Sequence, residues 1–76
     1  MKRPRYNVTV SRDGHFWLMQ VDELPGVLTS VSSFGRVTEW VRDAIAVHTD
    51  TSPDSFDVTI RLDDEAREYL RGHPLT

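Results

Sequence analysis

The sequence predicts an α+β domain in the order β-β-β-α-β-α. An antiparallel three-stranded meander and a fourth strand form the sheet, and one helix packs on one sheet face. Three observations predict this. Alternating apolar residues flank Asp13-Gly14 on both sides, the signature of a β-hairpin. Phe34, Val37, Val41, Ala44 and Ile45 then recur at helical spacing. Finally, Phe56, Val58, Ile60 and Leu62 alternate with Asp57, Thr59 and Arg61, as in a strand with one buried face.

The chain opens on Lys2, Arg3 and Arg5, its only basic cluster. Residues 1–5 read as a flexible, solvated arm. The hairpin follows. A two-residue turn needs positive φ, which Gly adopts freely and Asp tolerates. With Asp13-Gly14 as the turn, Arg12 faces His15, Val10 faces Trp17, Val8 faces Met19 and Tyr6 faces Val21. A four-residue loop from Arg12 to His15 keeps these pairs. A three-residue loop ending in αL at Gly14 would bury Phe16, Leu18 and Gln20 instead, and Gln20 would then need a buried partner. The first register is therefore preferred. Its buried face holds Tyr6, Val8, Val10, Trp17, Met19 and Val21. Its other face holds Asn7, Thr9, Ser11 and Gln20, with Phe16 and Leu18 as apolar exceptions.

Asp22 to Gly26 is a turn by composition, and Val27 to Val31 reads as a third, short strand. Ser32 or Ser33 offers an N-cap for the helix, whose start is loosened by Gly35. Trp40 lies alongside the apolar stripe and reads as core, as does Trp17. His48 reads as a half-buried packing residue. Arg36, Glu39, Arg42, Asp43 and Asp50 fall on the outer face. A loop over residues 51–55 leads to the fourth strand. A short C-terminal helix over residues 63–72 is capped by Asp63 or Asp64 and ended by Gly72 and Pro74. Ala66, Tyr69 and Leu70 are its docking residues.

At 76 residues the chain is a single domain, near the lower limit for a self-sufficient core. The absence of cysteine excludes disulfides, thiolate zinc sites and thiol nucleophiles. No apolar run approaches the ~20 residues of a membrane span and no secretory signal opens the chain, so the expected location is cytoplasmic. Nine Lys+Arg against twelve Asp+Glu give a net charge of −3, which speaks against nucleic acid as a partner.

No catalytic, metal or cofactor site is expected. The acidic pairs Asp22/Glu23 and Asp63/Asp64 sit at a turn and a helix start, where carboxylates have ordinary structural roles. A two-metal site would need carboxylates converging from different elements. His15, His48 and His73 show no triad or zinc spacing, and the glycines form no phosphate loop. What remains is Phe16 and Leu18 on the sheet face away from the helix, a patch that suits a protein contact.

The residues also resemble a known family. Tyr6 leading a strand, the Asp13-Gly14 turn, Trp17, Leu24-Pro25-Gly26 and the helical pair Ala44-Ile45 follow the pattern of HicB antitoxins from bacterial toxin–antitoxin pairs. The similarity covers residues 6–62, and the short form is similar to actinobacterial members. It implies a partial ribonuclease H-like fold without that fold's catalytic carboxylates. It further implies homo-oligomerisation and capture of a small RNA-cleaving toxin of the HicA type. Gly35, Val37 and Trp40 replace the small and acidic residues usual in the family helix. Family members that repress their own operon carry a further DNA-binding module, whereas here only DDEAREYLRGHPLT follows the fourth strand.

Three functions follow as expectations. The first is a non-catalytic antitoxin that contacts its toxin through Asp13, Phe16, Leu18, Asp22, Glu23 and Leu24. There the carboxylates mimic RNA phosphates and the apolar residues supply the anchor. The second is a DNA-binding autoregulator, dimeric through the last strand, using Thr59, Arg61 and Arg67. The third is an orphan structural dimer with no toxin partner, in which Phe16 and Leu18 are covered by a second copy.

Overall fold

The computed structural model describes residues 3–72. Strands β1 (Arg5–Asp13), β2 (Phe16–Val21) and β3 (Leu28–Val31) come first. A 3₁₀ turn (Phe34–Arg36), helix α1 (Val37–Thr49), strand β4 (Asp57–Leu62) and helix α2 (Asp64–Gly72) follow. This is the expected α+β order. The four strands form one sheet in the order β3-β2-β1-β4. The first three strands pair antiparallel, while β4 runs parallel to β1. Parallel neighbours need a long crossover, and α1 supplies it by carrying the chain from the β3 edge to the β4 edge.

The hairpin register differs from the sequence expectation by two residues. Asp13 pairs with Phe16, Arg12 with Trp17, Val10 with Met19 and Val8 with Val21. The turn residues are therefore Gly14 and His15, with Gly14 at φ +60° and His15 outside the positive-φ region. Positive φ at the first central position alone is the mark of a type II′ turn, which takes glycine there. Because side chains alternate with period two, a slip of two leaves both faces unchanged. Val8, Val10, Trp17, Met19 and Val21 are all buried as expected.

The helix start is also later than expected. The Ser33 side chain makes no capping bond; instead the Arg36 N–H bonds the Ser33 carbonyl at 3.1 Å, and α1 begins only at Val37. Gly35 in this first turn, with its poor helix propensity, suits a tight 3₁₀ entry.

The buried face of α1 is Val37, Val41, Ile45 and Ala46. Trp40 does not join it. With 46% of its surface exposed, Trp40 lies on the flank, and His48 is exposed rather than half-buried. The i, i+4 row Val37–Val41–Ile45 centres the contact, and one residue before Val41 the helix has already turned about 100° away. Small Ala46 takes the space on the other side.

Two helices, not one, cover the same sheet face. The Ala66 N–H donates to Asp63 Oδ1 at 2.8 Å, so Asp63 is the N-cap of α2. Ala66 is fully buried, and Tyr69 and Leu70 pack on the core. Trp17 sits between the helices, 4.9 Å from the Phe34 ring and 5.4 Å from the Tyr69 ring, both edge-to-face. Such contacts add about 0.5–1.5 kcal/mol beyond burial.

The basic stretch at the start is held rather than frayed from Arg3 onward. Arg5 opens β1, donates to Thr59 Oγ1 at 2.8 Å and lies 3.9 Å from Asp57. Arg3 reaches the carbonyl oxygens of Asp54 and Phe56 and lies 3.6 Å from Asp57. Lys2, His73 and Pro74 lie outside the described residues.

Candidate interaction surface

The sheet face opposite the helices is open. From the pairing it carries Leu28 and Ser30 of β3, then Phe16, Leu18 and Gln20 of β2. Next come Asn7, Thr9 and Ser11 of β1, and Thr59 and Arg61 of β4. The face divides lengthwise. Its β3–β2 half is apolar: Phe16 is 52% and Leu28 57% exposed, and Leu18 is half-buried. Leu18 pairs with Ser30 and Gln20 with Leu28, so Leu28 is the diagonal neighbour of Leu18, within side-chain reach.

The β1–β4 half is a polar lattice. Asp22, just beyond β2, accepts from Thr9 Oγ1 at 2.9 Å and from an Arg61 guanidinium nitrogen at 3.0 Å. The same Arg61 nitrogen also reaches Thr9 Oγ1 at 3.2 Å. Glu23 accepts from the Asn7 backbone N–H at 2.8 Å and from the Asn7 side-chain amide at 2.6 Å. The backbone N–H bond holds the Glu23 carboxyl below its ordinary range, against a smaller opposing effect of burial, because only the charged form accepts both bonds fully. Asn7 also accepts the Asp22 N–H at 2.8 Å. This pair of acids thus locks the end of the β1–β2 ladder.

The six residues expected to contact a toxin do not form one patch. Phe16 and Leu18 share the open face, with Asp13 paired to Phe16 at the hairpin end. Asp22 and Glu23 lie at the far end of β2, engaged with β1 and β4. Leu24 is half-buried and packs against the core. The three residues of the DNA-binding alternative are also apart. Thr59 accepts from Arg5 and Arg61 is paired with Asp22, both on the open face. Arg67 belongs to α2 on the covered side, where it donates to the Leu62 carbonyl and lies 3.9 Å from Asp64.

Sequence reasoning missed Arg12 and Arg42. Arg12 stacks against both Trp17 and Tyr69, at 4.7 and 4.0 Å from the ring centres. Arg42, expected on the outer face, donates to the carbonyls of Pro53 and Phe56 and ties α1 to the entry of β4. For Arg42 the sequence signal is its place directly after Val41 on a helix that runs into the loop holding Pro53.

Among the described residues, no cluster of three or more His, Asp or Glu side chains is placed to hold a metal ion. No helix among them is long and apolar enough to cross a membrane. The fold and surface define a small α+β domain with one sheet face covered by helices and one left open, half apolar and half polar. Comparison with protein-family models, with curated proteins and with solved structures finds no match.

Proposed function

We propose that this protein is a HicB-like antitoxin module of the cytosol. It neutralises a small RNA-cleaving toxin of the HicA type by protein–protein contact and performs no chemistry of its own. The observation that supports this reading is the exposed strip of Phe16, Leu18 and Leu28 on the open face, beside Asp13 at the hairpin end. A large aromatic in a water-excluding contact is the kind of side chain that dominates such interfaces. The net charge of −3 would steer a basic, phosphate-gripping partner toward it. The resemblance over residues 6–62 points the same way.

Because Asp22 and Glu23 are held by internal bonds, their reversal would disturb the sheet as well as the interface. Asp13→Lys is the cleaner electrostatic probe. It should slow association and lessen its salt dependence, whereas Phe16→Ala should mainly speed dissociation, by about tenfold or more.

The deciding experiment is co-expression with the product of the adjacent gene. Growth rescued by this protein, and lost with Phe16→Ala, is the expected result. A neighbour that is not toxic, or that stays toxic with this protein in excess, refutes the reading.

A further inference from the structure

Trp40 is the largest side chain of α1, yet it leaves 46% of its surface in solvent. Together with Asp43 it borders two hollows at once. The first, about 280 Å³, is completed by Glu39, Arg42 and Pro53. The second, about 420 Å³, lies between α1 and the start of β3, with Ala44 and Val47 on its helix side.

The charge at the first hollow is unspent. Glu39 and Asp43 stand exposed one turn apart on α1, and neither carboxylate has a hydrogen bond or ion pair among the described residues. Like charges at this i, i+4 spacing repel each other and weaken the helix locally. Arg42, the cation at the hollow, is turned to the loop, donating to the Pro53 and Phe56 carbonyls at 2.9 and 3.1 Å. Two carboxylates against one guanidinium leave the hollow net negative. Among the described residues no arginine stacks on the Trp40 ring; the cation–π contacts fall on Trp17, Tyr69 and Phe56.

We propose that this surface docks a basic segment of another protein. An arginine of that segment stacks on the Trp40 indole beside Glu39 and Asp43, and a neighbouring apolar side chain sits against Ala44 and Val47. The proposal is independent of the antitoxin reading, whose contact lies on the open sheet face, away from α1.

Charge complementarity selects the cation, and the indole selects its shape. Tryptophan is the best aromatic partner for a cation, and a planar guanidinium can stack on the ring while its fork of donors reaches a carboxylate. The second hollow selects a segment over a free small cation. An exposed ion pair alone contributes little, and a lone guanidinium would leave Val47, 76% exposed, uncovered. An arginine with an apolar neighbour fills both hollows and buries the indole between them.

The test is an NMR titration of the full chain with the peptide acetyl-Gly-Arg-Leu-Gly-amide. The Trp40 indole N–H and the Asp43 and Ala44 amides should shift, while the indole of Trp17, 2% exposed, stays in place. Replacing the arginine by citrulline, its neutral isostere, should weaken binding about tenfold or more, and free arginine amide should bind as weakly as the citrulline peptide. Raising salt from roughly 50 to 300 mM should weaken the arginine peptide and leave the citrulline peptide unchanged. Trp40→Leu should weaken binding about tenfold, read at the Asp43 amide, and the double variant Glu39→Gln/Asp43→Asn, at exposed positions, should do the same. Phe16→Ala should bind as the wild type does. No shift at about 10 mM peptide overturns the proposal. So does a citrulline peptide that binds equally well, or a shift that Phe16→Ala abolishes. Free arginine amide binding as tightly as the peptide would overturn the segment in favour of a small-cation site.

Discussion

The Arg12 guanidinium carbon lies 4.0 Å from the centre of the Tyr69 ring, and this contact joins the second turn-proximal residue of β1 to the last turns of α2. The same guanidinium lies 4.7 Å from the Trp17 ring centre. Trp17 and Tyr69 meet edge-to-face at 83°, so the cation rests against both rings at once. A planar, weakly hydrated cation suits such a place better than an ammonium. The Arg12 Nε–H is shut from solvent and donates to no acceptor, which offsets part of the gain.

Replacing Arg12 with Ala should destabilise the domain by about 1–2 kcal/mol, near the upper end for a partly desolvated cation–π contact once the lost stem packing is added. Arg12→Lys should recover less than half of that. Equilibrium urea unfolding checks both values. An unchanged midpoint for Arg12→Ala would show that α2 docks through Ala66 and Leu70 alone.

Stability should depend on pH through Glu23. Its carboxyl is held below the ordinary value of a glutamate chiefly by the Asn7 backbone N–H. A group whose folded pKa is depressed contributes stability that is fully present above the unfolded value and is lost as pH falls through the folded value. The domain should therefore weaken below about pH 4.5, and Glu23→Gln should flatten that part of the curve while changing little of its shape between pH 6 and 8. Thermal unfolding from pH 7 to pH 3 measures the difference. Identical slopes for the two proteins would mean that the Asn7 bond is exchanged freely with water.

The two sheet faces were legible in the sequence because alternation fixes which side chains share a side. The hairpin register was not, since a slip of two residues leaves that alternation intact, and only the turn backbone separates the alternatives. Helix α1 was legible as an element but not in its roll. Trp40 is strongly apolar and adjoins the stripe, yet the row Val37–Val41–Ile45 packs closer to the sheet and leaves the indole at the flank. Least legible were contacts made by topology. Arg61 meets Asp22 across 39 positions of chain because β4 inserts beside β1, and no local pattern signals a parallel neighbour. The acidic turn accordingly read as free charge, whereas its carboxylates are bonded to Asn7, Thr9 and Arg61.

Asp50 should be replaceable with profit. It ends α1 in the left-handed region, φ 57° and ψ 46°, with its N–H bonded to the Ala46 carbonyl. The following Thr51 N–H also bonds that carbonyl, at 3.0 Å. Glycine is the favoured residue at such a helix end because it lacks the Cβ that crowds this conformation. Asp50→Gly should stabilise by up to about 1 kcal/mol. The gain is largest if the added charge relief at the helix C-terminus, where an acid is unfavourable, counts as well. A lower melting temperature for Asp50→Gly would place the entropy of the unfolded chain above the strain.

The final prediction distinguishes the observed turn from the one the sequence suggested. With Gly14 and His15 at the centre, only the first central position has positive φ, and Asp13 is a paired strand residue opposite Phe16. A Cβ at Gly14 would meet nothing within 4 Å, so the cost of substitution there is conformational rather than steric contact with neighbours. Gly14→Ala should cost about 1–2 kcal/mol, the penalty for an L-residue in the left-handed region. Gly14→Asn should cost less, because its short polar side chain tolerates that region. Asp13→Ala should be nearly neutral, within about 0.5 kcal/mol, as for an exposed strand position. Had the turn been Asp13-Gly14, both central residues would need positive φ, and Asp13→Ala would cost as much as Gly14→Ala. Chemical denaturation of the three variants reads the difference directly. Equal losses at positions 13 and 14 would move the hairpin back by two residues, pairing Val10 with Trp17 and Val8 with Met19.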